Sequence, residues 1–293
     1  MRINCNILFL FLIYGEMMDK KTKYFGLGIL GGIGIIAIFI AILIFIPIVS
    51  MIAGPSAVAV IPVAGEIGYG ASSENMTVAN PDIINALIDR ANTDPSIGAI
   101  VLDINSPGGS PVASEEVLSK INSSQKPVIA WISDTGTSGA YLIAAGADEI
   151  VASPSSWTGS IGVILTLADL SEYYKKQGID IYSLTGGKYK AIGADYKNLT
   201  SEERQMLQTM IDEEYAHFIG LVAKNRNLTI DYVESIAEGK IYTGQQALDF
   251  KLIDKLGGKE YAIELAANKS GIGPGYQVIT MSPDYGPLGE LGI

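Results

Sequence analysis

The sequence predicts an α/β domain built on a largely parallel sheet and preceded by one transmembrane helix. Three observations carry that reading. Strand-like runs alternate with helical segments through most of the chain, the pattern of βαβ units. Ile97-Gly-Ala-Ile-Val-Leu-Asp-Ile104 is an almost unbroken apolar run, as expected of a strand buried on both faces of a parallel sheet. Phe25 to Ile52 contains no charged residue and is rich in Ile, Leu and Phe, well beyond the roughly 20 apolar residues that cross a bilayer as a helix.

From the N-terminus, residues 1–16 hold only a short apolar run, Ile7 to Tyr14, and Met17 or Met18 is an alternative start of translation. Lys20, Lys21 and Lys23 precede the span, and no Lys or Arg follows it until Arg90. The positive-inside bias then places the N-terminus in the cytoplasm and everything after about Ser56 outside. The span lacks a small-residue cleavage signature of the A-x-A type, so it is expected to stay as an anchor. The text Gly26-Leu-Gly28-Ile-Leu-Gly31 matches a dinucleotide fingerprint, but it lies inside the span with no strand before it and is rejected on that ground. Gly28 and Gly32 are equally ordinary membrane-helix glycines or a close-packing face.

After a Gly54-Pro55-Ser56 linker, Ala57 to Val63 is a first strand, with Pro62 pointing to an edge or a bulge. A helix is expected over about Pro81–Ala91, where Ile83, Ile84, Leu87 and Ile88 fall at helical spacing. The strand 97–104 ends in the turn Asn105-Ser-Pro-Gly-Gly-Ser110 and leads to a helix over about Val112–Ile121. Strand 127–133, helix 138–146, a short strand 149–152, the turn Trp157–Gly162, a helix over Asp169–Gln177 and a strand over Ile179–Leu184 follow. The last third is mainly helical. Thr200-Ser-Glu-Glu203 is a capping box opening a helix to about Lys224, with Leu207, Ile211, Phe218 and Val222 as its buried stripe. Thr229–Glu238 is a further helix stopped by Gly239, Thr243-Gly-Gln-Gln246 caps another, and the Gly- and Pro-rich chain from Gly271 is expected to be loose.

Composition narrows the chemistry. A net charge of −11 and a pI near 4.6 leave no basic footprint for nucleic acid. The single cysteine, Cys5, precedes the span, so the outer domain has neither a disulfide nor a cysteine metal site. One histidine, His217, provides no zinc cluster. Asn75, Asn122, Asn198 and Asn227 each begin an N-x-[ST] tripeptide, which fits an exported domain and is also common by chance.

The stretch Asp134-Thr-Gly-Thr-Ser-Gly-Ala-Tyr-Leu-Ile-Ala-Ala-Gly-Ala-Asp148 is the chemical centre. Ser138 falls where strand becomes helix, a turn that exposes a hydroxyl beside backbone N–H groups and suits a nucleophile with part of an oxyanion hole. Gly and Ser also build ordinary turns. A Ser-His-Asp triad would need His217, which falls in mid-helix and is better read as structural. The base must then be another group. A lysine serves if burial lowers its pKa from about 10.4 towards neutrality. Thr185-Gly-Gly-Lys-Tyr-Lys-Ala-Ile-Gly193 offers Lys188 and Lys190, with Tyr189, Ala191 and Ile192 as apolar neighbours to desolvate one of them.

Four motifs in order, Asn105-Ser-Pro-Gly-Gly, Thr137-Ser-Gly-Ala-Tyr-Leu-Ile-Ala-Ala-Gly-Ala-Asp, Thr158-Gly-Ser-Ile-Gly-Val and Gly187-Lys-Tyr-Lys, resemble the signal peptide peptidase SppA family in its short form. The resemblance runs from about residue 57 to 268. It implies a Ser–Lys protease with the Clp protease/crotonase fold, in which Ser138 is the nucleophile and Lys190 the general base, with Lys188 as the stand-in. It further implies that Gly108 and Gly139 donate to the oxyanion and that Ser160 orients the lysine. One departure is Ala194-Asp195, where the family pattern would have Ser-Pro.

On this reading the chain comprises a cytoplasmic segment (1–24), an anchor (25–52), a catalytic domain (57–268) and a flexible tail (269–293). It is a single-pass cell-membrane serine endopeptidase acting on signal peptides or other membrane-associated peptides without cofactor or metal. The resemblance also implies a homo-oligomer whose sites join two subunits. Its rivals are an NfeD-type Ser–Lys protease processing stomatin-like proteins, a crotonase-like acyl-coenzyme A enzyme, and a non-catalytic scaffold.

Overall fold

The computed structural model describes residues 36, 38–43, 56–72 and 77–282. It divides the chain into two units, Met1–Gly54 and Pro55–Ile293. In the first, residues 36 and 38–43 are helical and carry exposed Ile, Phe and Leu side chains. No helix among the described residues is long and apolar enough to cross a membrane. The rest of the expected span 25–52, the segment 1–24 and residues 283–293 lie outside the described residues.

The second unit runs β1 (Ala57–Ala64), β2 (Glu66–Ile67), β3 (Val78–Ala79), α1 (Pro81–Thr93), β4 (Ile97–Ser106), α2 (Pro111–Asn122), β5 (Val128–Thr137) and α3 (Gly139–Ala145). It continues with β6 (Glu149–Ala152), β7 (Trp157–Gly159), α4 (Ser171–Lys176), α5 (Ser201–Arg226), α6 (Ile230–Ile236), β8 (Ile241–Thr243), α7 (Gly244–Asp249), β9 (Lys255–Leu256), α8 (Lys259–Lys269) and β10 (Gln277–Thr280). The main sheet has the order β10-β1-β4-β5-β6-β9, with β7 beside the end of β5 and β8 beside β7. Every ladder is parallel except β7–β8.

The central strands are apolar on both faces because both faces are covered. Ile61, Ile100, Leu102, Ile104 and Ile132 point into the larger core with Tyr141, Ile143 and Phe218. Val58, Val60, Val101, Ile129 and Val151 point the other way, onto Ala262, Ile263 and Ala266 of α8. Pro62 is exposed and lies beyond the last residue of β1 that pairs with β10, Val60. Its missing N–H therefore costs no ladder bond, which agrees with the expected edge position.

Three expectations are corrected. Ile179–Leu184 is not a strand but exposed chain without regular structure. Its apolar residues, Ile179, Ile181 and Leu184, suggest a strand, yet among the described residues no strand pairs with it, and a ladder needs a partner. Lys269–Ile293 is not loose throughout, since Gln277–Thr280 forms β10 and Ala57 to Val60 pair with it. The buried stripe of α5 is confined to its second half. Phe218 and Val222 are buried, while Leu207 and Ile211 are half-buried and line a cavity of about 310 Å³ with Leu165, Leu167 and Ala194. The capping boxes at Thr200/Glu203 and Thr243/Gln246 both form.

One buried bond ties the helix after Ser138 to the rest of the domain. Tyr141 is fully buried, and its hydroxyl donates to the Leu252 carbonyl at 2.9 Å. Removing it strands a buried acceptor, so Tyr141→Phe is expected to cost about 1–3 kcal/mol in urea unfolding, with the slope unchanged.

Candidate active site

Because β4 and β5 are parallel neighbours, the turns at their C-terminal ends meet at one edge of the sheet. The contact is close. A Cβ placed on Gly108 would lie 2.7 Å from Ser138 Cβ and 2.8 Å from the Gly139 nitrogen. Gly108 and Gly109 have φ of 98° and 154°, values that favour glycine. The Gly108 carbonyl accepts from Ile67 N–H at 2.8 Å, and the Ile67 carbonyl accepts from Ser110 N–H at 2.9 Å, so β2 clamps the glycine pair from outside. Thr137 Oγ1 donates to the Pro107 carbonyl at 3.1 Å and locks the two turns together.

Ser138 is strained and held. Its φ of 55° and ψ of −128° are outside the usual regions for a residue with a Cβ, at a cost of about 1–3 kcal/mol. Its N–H donates to Gly159 O at 2.9 Å, and its carbonyl accepts from Leu142 N–H at 3.1 Å. The hydroxyl makes no capping bond to α3. Ser138 instead lines two cavities. One, of about 130 Å³, also touches Gly109, Gly139, Leu142, Glu214 and Phe218. The other, of about 500 Å³, also touches Ser160, Asp212, Tyr215 and Glu238.

The two glycines expected to donate, Gly108 and Gly139, differ in whether their N–H is already engaged. Gly139 opens α3, where first-turn N–H groups have no helical partner. Gly108 N–H, by contrast, donates to the buried Ser106 hydroxyl at 3.1 Å. Gly109 lines the cavity beside Ser138 and Gly139, and its N–H makes no hydrogen bond among the described residues. The doublet was visible in the sequence. Which of its amides is free depends on Ser106, a side-chain choice that no spacing encodes. Ser160, with φ of 51°, is fixed by its N–H to Lys240 O at 2.7 Å and faces the larger cavity.

The lysines are elsewhere. Neither Lys188 nor Lys190 lines a cavity containing Ser138, and no Lys or Arg does; the charged lining residues are Glu115, Glu214, Asp212 and Glu238. Both lysines are exposed, so Tyr189, Ala191 and Ile192 do not desolvate them within the single chain. Lys188 pairs with Glu202 at 2.5 Å, and that hydrogen bond, followed by the one to Tyr189, raises its pKa. His217 sits on the surface of α5, 3.1 Å from Glu115, in keeping with a structural role. Among the described residues no group of three or more His, Cys, Asp or Glu could hold a metal ion.

A strand-to-helix turn with an outward serine, facing a glycine turn from the adjacent parallel strand, defines a hydrolase-like site on an α/β sheet. The family model "Peptidase family S49" matches residues 120–273, and the chain belongs to that family. It is 42% identical over 183 residues to an inferred protease of Methanocaldococcus jannaschii, a match covering 61% of this chain and 58% of the relative. It is 32% identical over 180 residues to an inferred signal peptide peptidase SppA of Enterococcus faecium, covering 60% and 52%. The chain thus matches little more than half the length of these relatives. Among solved structures, a membrane-bound stomatin-specific protease superposes with a TM-score of 0.52 over 78% of this chain and 99% of that one; at 16% identity the likeness is one of fold.

The contact between the turns is directly testable. Gly108→Ala would force a Cβ into Ser138 at an unfavourable φ. The expected result is a loss of about 1–3 kcal/mol in thermal or urea unfolding, together with slower labelling of Ser138 by a fluorophosphonate. Wild-type behaviour on both counts would show that the turns do not touch.

Proposed function

We propose that the chain is a membrane-anchored serine endopeptidase with Ser138 as nucleophile and Lys190 as general base. The observation that carries the reading is the convergence of the strained, outward Ser138 with the free amides of Gly109 and Gly139 at one sheet edge. Ser138 Oγ attacks the scissile carbonyl while a neutral lysine amine takes its proton. The carbonyl oxygen becomes an oxyanion between the two N–H groups, each worth about 2.7–4 kcal/mol in a well-studied protease. Here Gly109 replaces Gly108 as the donor. The lysine then returns the proton to the leaving amine, and water hydrolyses the acyl-enzyme with the same base. Ser160, which lines the larger cavity with Ser138, orients the amine.

The base is delivered by a second copy of the chain. Two facts support this: the cavities at Ser138 contain no lysine of their own chain, and Lys190 is exposed. Residues 25–52 anchor the enzyme with its catalytic domain outside the cytoplasm, and the substrates are signal peptides or other peptides at the bilayer. The small cavity, floored by Leu142, Phe218 and Leu221, suits an apolar side chain of such a peptide. A narrower reading, cleavage of stomatin-like membrane proteins, draws on the name of the structural neighbour; profiling of both substrate types separates the two.

The test uses the full chain in detergent and a fluorogenic apolar peptide. Ser138→Ala and Lys190→Ala are each expected to lower kcat by about 10⁴-fold or more, whereas Lys188→Ala, which keeps Lys190, is expected to cost far less. Mixing the two inactive variants should restore activity, because mixed assemblies contain one complete site. Full activity in Ser138→Ala would overturn the protease reading, and failure of complementation would overturn the shared dyad.

A further inference from the structure

The loop that carries Lys190 is held within itself by short turn bonds, from Lys190 N–H to the Gly187 carbonyl at 3.3 Å and from Ile192 N–H to the Tyr189 carbonyl at 3.0 Å. Gly186 and Gly187 are consecutive, Gly187 has φ of 115°, and nothing lies within 4 Å of where a Cβ of either would stand. A glycine pair in open solvent is deformable backbone, yet a general base must be held within hydrogen-bond reach of its proton. One carboxylate ties the glycine end of the loop to α5. Lys188 Nζ donates to Glu202 Oε2 at 2.5 Å, and Tyr189 hydroxyl donates to Oε1 of the same group.

Glu202 is itself on a fixed base. It is the second residue of α5, whose start is set by the reciprocal bonds between Thr200 and Glu203 at 2.9 and 3.1 Å. Glu203 points inward, is 5% exposed and pairs with Lys197 at 2.6 Å. The two adjacent glutamates thus divide the work: Glu203 fixes the helix start, and Glu202 reaches outward to the loop. Lys190, which follows the clamped pair directly, makes no salt bridge among the described residues.

We propose that Glu202 is a positioning residue for the dyad: by holding Lys188 and Tyr189 together it sets the shape of the glycine loop, so that Lys190 and not Lys188 is presented as the base. This rests on the reading of Lys190 given above. An isolated exposed ion pair contributes little to stability, so the effect lies in the geometry of the loop and not in the fold. The hydrogen bond from Lys188, then that from Tyr189, keeps the Glu202 carboxyl below its usual range. The raised pKa of Lys188 keeps that amine protonated and unable to accept a proton. The neighbouring carboxylate of Glu203 opposes the Glu202 charge only weakly beside these bonds.

The experiment compares Glu202→Ala, the pair Lys188→Met with Tyr189→Phe, and the triple combination, all in the full chain with the fluorogenic peptide. Glu202→Ala is expected to lower kcat about tenfold or more with KM within about twofold, the pattern of a misplaced catalytic group. The pair should match it, and the triple should be no worse than either, because all three remove one clamp. Melting temperatures should stay at the wild-type value. If Glu202→Ala melts early, the Lys188/Tyr189 pair, which leaves the helix start intact, decides alone. Undiminished kcat in that pair, a loss confined to KM, or a triple variant whose losses multiply would overturn the proposal. Activity surviving in Lys190→Ala would instead remove the base assignment beneath it, a distinct result.

Discussion

The site depends on the backbone contact between the β4 and β5 turns. Ser138 adopts a conformation that its Cβ opposes, and the surroundings enforce it from three directions: Gly159 accepts its N–H, Leu142 donates to its carbonyl, and Gly108 lies against its Cβ. The strain is about 1–3 kcal/mol, no more than the roughly 1.5–3 kcal/mol contributed by burying a single isoleucine. Ile100, Ile104 and Ile132, all fully buried in the strands leading to these turns, are ample to offset it. The parallel sheet therefore does two jobs with the same residues: it supplies the stability, and its register delivers both turns to one edge.

Much of this was legible in the sequence because burial on both faces leaves an unmistakable run. Ile97–Ile104 and Val128–Ile132 could be placed from composition alone, and the turns that follow them inherit their positions. The capping boxes were equally legible, since Thr200/Glu203 and Thr243/Gln246 are local bonds between residues three apart. Ser138 was legible for the same reason, as the polar residue between a strand and a helix of small side chains.

What sequence could not supply was anything settled by a third party. Gly108 and Gly109 are indistinguishable in text, and only the Ser106 hydroxyl, by engaging one amide, leaves the other free. Ile179–Leu184 has the β-branched and aromatic residues of a strand, but composition does not supply a neighbouring strand. The first half of α5 has apolar residues at helical spacing, yet they meet the 165–194 segment and not the sheet. β10 was hidden by the glycines and prolines around it, although Val278 and Ile279 have strand character. The span 25–52 rests on its apolar length.

The separation of Ser138 from the lysine loop carries a consequence for control. If the hydroxyl of one copy works with the amine of another, as proposed above, an isolated chain is its own inactive precursor. Competence then follows mass action: in the dilute limit the number of working sites rises with the square of the number of chains, and it becomes proportional only once association saturates. Confinement to a two-dimensional surface raises local concentration steeply, so on the proposed reading attachment to a bilayer would act as the switch that arms the enzyme.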